Sequence, residues 1–152
     1  MMTAKEYLQQ IYYLDRKIKR LEAKREAIRA DLYSVKSTTD YNADRVQTSV
    51  DGDAMLRLIA KVDNIEKDIL TEIDRLVSLR DEISKEIEKI PMEDGQDRNV
   101  QDVLLRRYVL CQSWEQIAFE LGYTVRHVYR LNGDGLQLFK KHVLECHPEK
   151  NL

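Results

Sequence analysis

The sequence predicts an all-α protein: a long antiparallel helical hairpin of coiled-coil character, followed by a helix-turn-helix domain. Three observations lead there. Two stretches carry apolar residues at alternating four- and three-residue spacing over many turns. Pro and Gly together number seven in 152 residues, while charged residues make up 34%, a composition of soluble helices. Near the C-terminus, two short helical patterns sit either side of Gly122.

The first long helix starts at Thr3, which with Glu6 forms a capping-box pattern. Its apolar line runs Tyr7, Ile11, Leu14, Ile18, Leu21, then Arg25, then Ile28, Leu32 and Val35. No Pro or Gly interrupts it, so a helix over residues 3–33 is expected, roughly 45 Å long at 1.5 Å per residue. Residues 34–52 are rich in Ser, Thr, Asp and Asn and read as a long loop. The second line runs Met55, Ile59, Val62, Glu66, Ile69, Ile73, Leu76, Arg80, Ile83, Ile87 and Ile90, and Pro91 ends it. Two helices of similar length pack most economically as an antiparallel pair. That pairing sets Arg25 near Glu66, and a charge inside a seam is costly unless paired, so an Arg25–Glu66 contact is expected.

The second helix also flanks its line with Leu56, Leu58, Ile65, Leu70, Val77 and Leu79, where the first carries charge. Such a stripe is too wide for one partner. A second hairpin is the expected cover, making the protein a homodimer with a four-helix bundle; the chain's own C-terminal domain is the alternative cover. Tyr7, Tyr12 and Tyr13 are expected to cover a hydrophobic contact. Residues 1–91 thus form the hairpin, residues 92–98 a polar linker, and residues 99–152 the C-terminal domain.

In that domain Asn99 can cap a helix through Val100, Val103, Leu104, Tyr108 and Leu110. Ser113 and Gln116 make a second capping box, and Ile117, Ala118 and Leu121 give the next helix an apolar face. Gly122 stops it, Thr124 caps the last helix, and Val128 and Leu131 hold that helix inward. Ala118 is small enough for the two helices to cross closely. Asn132-Gly133-Asp134-Gly135 predicts a bend in an otherwise continuous helix, since each glycine costs roughly 1 kcal/mol against Ala.

Thr124, Val125, Arg126, His127, Tyr129 and Arg130 are then left facing outward, the arrangement of a helix laid in a DNA major groove. An Arg can fork onto guanine O6 and N7. Arg106, Arg107, Lys140 and Lys141 are candidate phosphate contacts. Net charge is −2, yet residues 98–142 carry seven basic against four acidic side chains, so an anionic partner is expected at this end. Trp114 reads as a core anchor rather than a base-stacking platform.

Val103 to Tyr108, Ser113 to Ala118, Leu121 to Thr124, Val128, Leu131 and Leu136 resemble region 4 of bacterial sigma factors over about a third of the chain. With the N-terminal hairpin and a loop like Asp44 to Ser49, the whole resembles the phage and prophage family of sigma-region-4-like, ArpU/RinA-type late transcriptional regulators. The resemblance implies a regulator that binds double-stranded DNA in the cytoplasm of the bacterial host and acts with host RNA polymerase. No counterpart of the promoter-melting sigma region 2 is present. A small terminase-like packaging subunit also joins such a domain to oligomerising helices. An adaptor that docks on polymerase without reading DNA is the other alternative.

Other classes find little support in the residues. There is no phosphate-binding glycine loop, nucleophile elbow or zinc-protease motif, so no enzyme is expected and no catalytic residue or cofactor is assigned. His142, Cys146 and His147 lack a fourth ligand at a recognisable spacing, so no metal is expected. Cys111 and Cys146 suggest free thiols. No apolar run reaches the roughly 20 residues of a membrane span, and the N-terminus lacks the apolar core of a signal peptide.

Overall fold

The computed structural model describes residues 2–39, 50–92, 95 and 98–146. These residues are helical, with no strand among them. The helices are α1 (Ala4–Leu8), α2 (Gln10–Thr39), α3 (Val50–Glu88), α4 (Asn99–Leu104), α5 (Trp114–Leu121) and α6 (Val125–Phe139). Two π-helical turns, Leu105–Val109 and Lys140–Leu144, extend α4 and α6. No described helix is long and apolar enough to cross a membrane.

The capping box at Thr3 forms in both directions. The Thr3 backbone N–H donates to Glu6 Oε2 (2.7 Å), and the Glu6 N–H donates to Thr3 Oγ1 (3.2 Å). The Thr3 backbone bond, and then the Thr3 hydroxyl donating to the same carboxylate oxygen (2.9 Å), pull the Glu6 carboxyl below its ordinary pKa. The expected single first helix is divided only by a turn at Gln9, across which the i to i−4 bonds of Gln9 and Tyr13 persist.

The expected loop over 34–52 is too long at both ends. α2 runs on to Thr39, and α3 begins at Val50. Ser34 is accommodated because its hydroxyl donates to the Asp31 carbonyl (3.1 Å), a bond a helix interior allows. Residues 40–49, including the stretch 44–49 used in the resemblance, lie outside the described residues, as does the Val35 side chain.

The chain packs as two compact units: residues 1–14 with 76–152, and residues 15–75. These units cut both long helices, whereas composition drew its boundary at 92–98. The cause is visible in the larger unit. Leu8, Ile11, Ile83 and Ile87 are as fully enclosed as Leu104, Ile117, Val128, Leu131 and Phe139. Phe139 meets the Tyr7 ring at 5.7 Å between centroids. Beyond Pro91, Gln101 Nε2 donates to the Ile90 carbonyl (2.7 Å), fastening the start of α4 to the end of the preceding segment. Tyr12 and Tyr13 stay exposed, against expectation; their rings pack edge-on against each other at 5.8 Å.

Within the smaller unit, Ile18, Val62, Ile65 and Ile69 are buried. Lys17 pairs with Glu72 (2.5 Å), and Arg29 pairs with Glu66 (2.5 Å). The expected Arg25–Glu66 contact is therefore corrected by one helical turn. Arg25 meets Glu26 instead, at 3.3 Å.

The inward line of α3 also differs from the expected one. Ile59 and Ile73 are exposed, whereas Ile65 is buried and Leu58 and Leu79 are half-buried. Two lines of alternating four and three share Met55, Val62, Ile69, Leu76, Ile83 and Ile90, and they differ in the residue between. Polar partners select between them. Lys17 draws Glu72 inward, and Tyr7 donates its hydroxyl to the buried Glu86 (3.4 Å). Burial, and then the charge of Glu82, raise the pKa of the Tyr7 phenol.

Candidate nucleic-acid interface

The C-terminal helices are set by local chemistry. Ser113 Oγ accepts the Gln116 N–H (3.2 Å), and Gln116 Oε1 accepts the Ser113 N–H (3.1 Å). Gly122 ends α5 at φ 70°, ψ 30°, a left-handed conformation that a side chain would oppose. Thr124 then accepts the His127 N–H (3.2 Å) and starts α6. Ile117 and Ala118 of α5 pack with Val128 and Leu131 of α6, all fully or nearly fully buried.

α4 differs from expectation at its start. Asn99 does not cap it; the cap position is Arg98, without a side-chain bond. Asn99 instead donates to the Tyr123 hydroxyl (2.7 Å), tying α4 to the turn between α5 and α6. The chain then widens into the π-helical turn, closed by Leu110 N–H to the Leu105 carbonyl (3.0 Å). The extra residue lets neighbouring Tyr108 and Val109 both turn inward. Cys111 leaves the turn at φ 56°, left-handed without being glycine.

α6 passes unbroken through Asn132, Gly133, Asp134 and Gly135. Two of these residues have definite jobs. A Cβ on Gly135 would stand 2.9 Å from Leu104 Cγ, so the glycine makes room for the Leu104 side chain of α4 against α6. The Asn132 side chain bonds Tyr108; burial raises the pKa of that phenol, and the Asn132 bond and the Arg107 charge partly offset the rise. Gly133 faces open space.

The outward residues fall into three groups. Arg126, Tyr129 and Arg130 stand exposed on α6, with Val125 and His127 half-buried beside them and Thr124 exposed at the cap. Arg130 Nη2 donates to His127 Nδ1 (3.1 Å), and His127 rests edge-on against the Tyr123 ring (4.5 Å). Arg130 is thereby pre-oriented by its own helix, which reduces the rotamer freedom it would lose on binding.

A second group forms a cluster of one cation and two aromatic rings. The Arg107 guanidinium lies 4.4 Å from the centre of the Trp114 ring, whose other neighbour is Tyr129 at 4.9 Å between centroids. Arg107 Nη1 also donates to the Gln112 carbonyl (2.8 Å). Trp114 is half-buried, so it is an anchor at the edge of the core rather than inside it. In the sequence the only signal shared by Arg107, Trp114 and Tyr129 is one cation and two aromatics flanking the two turns.

In the third group Arg106 departs from its expected role. Arg106 pairs with Asp102 (2.9 Å) and with Glu120. These partners, the Asp102 bond foremost, raise its pKa further. A guanidinium held between two carboxylates is a brace between α4 and α5 more than a phosphate contact. Lys140 and Lys141 are exposed on the second π-helical turn. Phe119 of α5, which no spacing pattern marks, is 88% exposed. Among the described residues, no three His, Cys, Asp or Glu side chains gather as metal ligands would. No family model, curated protein or solved structure matches the chain.

Proposed function

We propose that the protein is a sequence-specific, duplex-DNA-binding transcriptional regulator of phage or prophage genes. In this reading α2 and α3 form a hairpin arm, and α5 and α6 form a helix-turn-helix whose second helix enters the major groove. The observation that carries the reading is the division of α6. Val128 and Leu131 are buried, while Arg126, Tyr129 and Arg130 project from the opposite side. Thr124 fixes where that helix begins, so the three side chains leave it within its first two turns, where groove-reading helices make base contacts.

The roles follow from chemistry. Arg126 and Arg130 take guanine edges or phosphate, and Tyr129, steadied by Trp114, contacts a thymine methyl or sugar. Arg107, Lys140 and Lys141 supply electrostatic docking on the backbone. Host RNA polymerase, in the bacterial cytoplasm, is the partner that the sigma-region-4 resemblance implies.

The test is genome-wide mapping of bound DNA for the wild type and for Arg126→Ala/Arg130→Ala. Specific peaks that vanish in the variant support the reading, with a loss of about 1–3 kcal/mol per base-contacting Arg. Absence of specific sites in the wild type sinks it. A second reading, an adaptor that docks on polymerase, draws on Phe119: an aromatic ring this exposed on α5 suits a protein surface. Under that reading Phe119→Ala abolishes binding to polymerase, and the double Arg variant leaves it intact.

A further inference from the structure

The contact between His127 and Arg130 fixes more than a rotamer. A guanidinium only donates, so the Arg130 Nη2 bond to His127 Nδ1 (3.1 Å) requires a bare lone pair on Nδ1. The pairing therefore selects the neutral imidazole with its proton on Nε2. The ring is itself held in place. Tyr123 packs against it edge-on at 4.5 Å, and the Tyr123 hydroxyl accepts an N–H from the Asn99 side chain (2.7 Å). Three contacts thus run from α4, through the turn before α6, to the head group of Arg130. The bond to His127 uses one of the five N–H groups of Arg130, so enough remain for a two-pronged contact with guanine O6 and N7.

Arg126, exposed one turn earlier on the same helix, has no such tether among the described residues. The two arginines therefore differ in what binding costs them. Arg126 gives up free rotamers, whereas Arg130 arrives with its head group already placed. The tether also responds to acid. A proton on Nδ1 turns the acceptor into a donor and sets two cations 3.1 Å apart, which frees Arg130 and adds positive charge to the same face. Imidazoles as a class change charge between about pH 5 and 8. The groups that face the ring are the Tyr123 phenol, from the turn, and the Arg130 guanidinium, from α6, with Arg126 adjacent in sequence.

From this geometry, and resting on the reading of α6 as the helix that enters the major groove, we propose that neutral His127 is the positioning residue for Arg130 and sets how strictly Arg130 discriminates its base pair. Protonated His127 does the reverse. It strengthens attraction to phosphate and loosens base reading, so affinity and specificity part as pH falls.

The experiment has one arm without DNA. A proton–nitrogen correlation spectrum of the imidazoles is taken on the free full chain near pH 8, with His127 assigned through His127→Asn. The His127 proton is expected on Nε2, and Arg130→Ala is expected to shift the signal. A proton on Nδ1, or a signal that Arg130→Ala leaves unchanged, overturns the positioning role whatever the DNA arm gives. In that second arm, anisotropy measures affinity for a mapped duplex and for the same duplex with each base pair changed. The pair whose change no longer matters in Arg130→Ala is the one Arg130 reads. There His127→Leu is expected to lose about threefold to tenfold in discrimination, the worth of one hydrogen bond, with discrimination at the Arg126 pair unchanged. Asn keeps an acceptor close to the place of Nδ1 and takes up no proton. His127→Asn is therefore expected to retain discrimination and to remove the pH dependence that the wild type shows between about pH 8 and 5.5. Equal loss at both pairs in His127→Leu, no rescue by Asn, or a wild type whose discrimination ignores pH overturns the proposal. A chain whose spectrum shows the pairing but which binds no duplex specifically overturns it through the DNA reading, and the spectrum tells that failure from the others.

Discussion

The long helices and the C-terminal helices are built on different kinds of information. At α5 and the start of α6, boundaries are set by single residues acting on their own backbone: Ser113 and Gln116, Gly122, Thr124. In α3 the inward face is ambiguous, because two heptad lines share six of their eleven members. The difference teaches that a local hydrogen bond specifies a helix end outright, whereas a periodic pattern specifies only a set of faces. Which face is buried is then decided by the partner, here by Lys17 opposite Glu72 and Tyr7 opposite Glu86.

The largest test of this contrast is Phe139→Ala. Phe139 is fully enclosed and packs on Tyr7. Its removal is expected to cost about 3–5 kcal/mol, measured by urea unfolding. A cost below 1 kcal/mol would mean that the two ends of the chain do not share one core.

Next come the two glycines of α6, which helix propensity alone would treat alike. Gly133→Ala meets open space and is expected to raise stability by about 0.5–1 kcal/mol. Gly135→Ala pushes into the enclosed side chain of Leu104, and overpacking of roughly 1–3 kcal/mol outweighs the same propensity gain. Thermal melts of the two variants should move in opposite directions; a shared upward shift would show that α4 and α6 are not in close contact.

Loss of a cap ranks below these. Ser113→Ala removes the oxygen that accepts the Gln116 N–H and is expected to cost about 1 kcal/mol. Local amide exchange at the start of α5 should quicken with it. Smallest is the corrected ion pair. Arg29→Ala is expected to cost at most about 1 kcal/mol, since both partners are 40% exposed, and the cost should shrink in high salt. Arg25→Ala in a Glu66→Gln background, compared with Arg29→Ala in the same background, separates the registers. Only Arg29 should couple to Glu66.

Alkaline titration sharpens the comparison without a mutation. The chain has eight tyrosines. Tyr7 and Tyr108 have pKa values raised above the ordinary 10.0, in both cases chiefly through burial. A raised folded pKa means stability that is complete below the unfolded value and is lost as pH rises through the folded one. Absorbance at the phenolate band should therefore show Tyr7 and Tyr108 ionising only above pH 10, with unfolding setting in as they do.

Much of the candidate interface was legible because its signals are short-range. The outward positions of Arg126, Tyr129 and Arg130 follow from Thr124 and from the burial of Val128 and Leu131. The role of Arg106 was not legible, because its partner Glu120 lies fourteen residues away on another helix. Nor was the cluster of Arg107, Trp114 and Tyr129, whose members come from three elements. Asn99 was misread for the opposite reason: its sequence position suited a cap, but Tyr123 offered it a better partner.

By itself, the sequence determined that the described chain is helical, where α5 and α6 begin and where α5 ends. Capping, glycine conformation and apolar spacing act within a few residues and need no distant partner. Only the tertiary structure decided which line of α3 turns inward, that Arg29 rather than Arg25 meets Glu66, and that the terminal helices share a core with residues 76–90. Only there does the glycine at 135 become a point of contact rather than a break. Those outcomes depend on groups far apart in the chain, and spacing alone carries no record of which of them will meet.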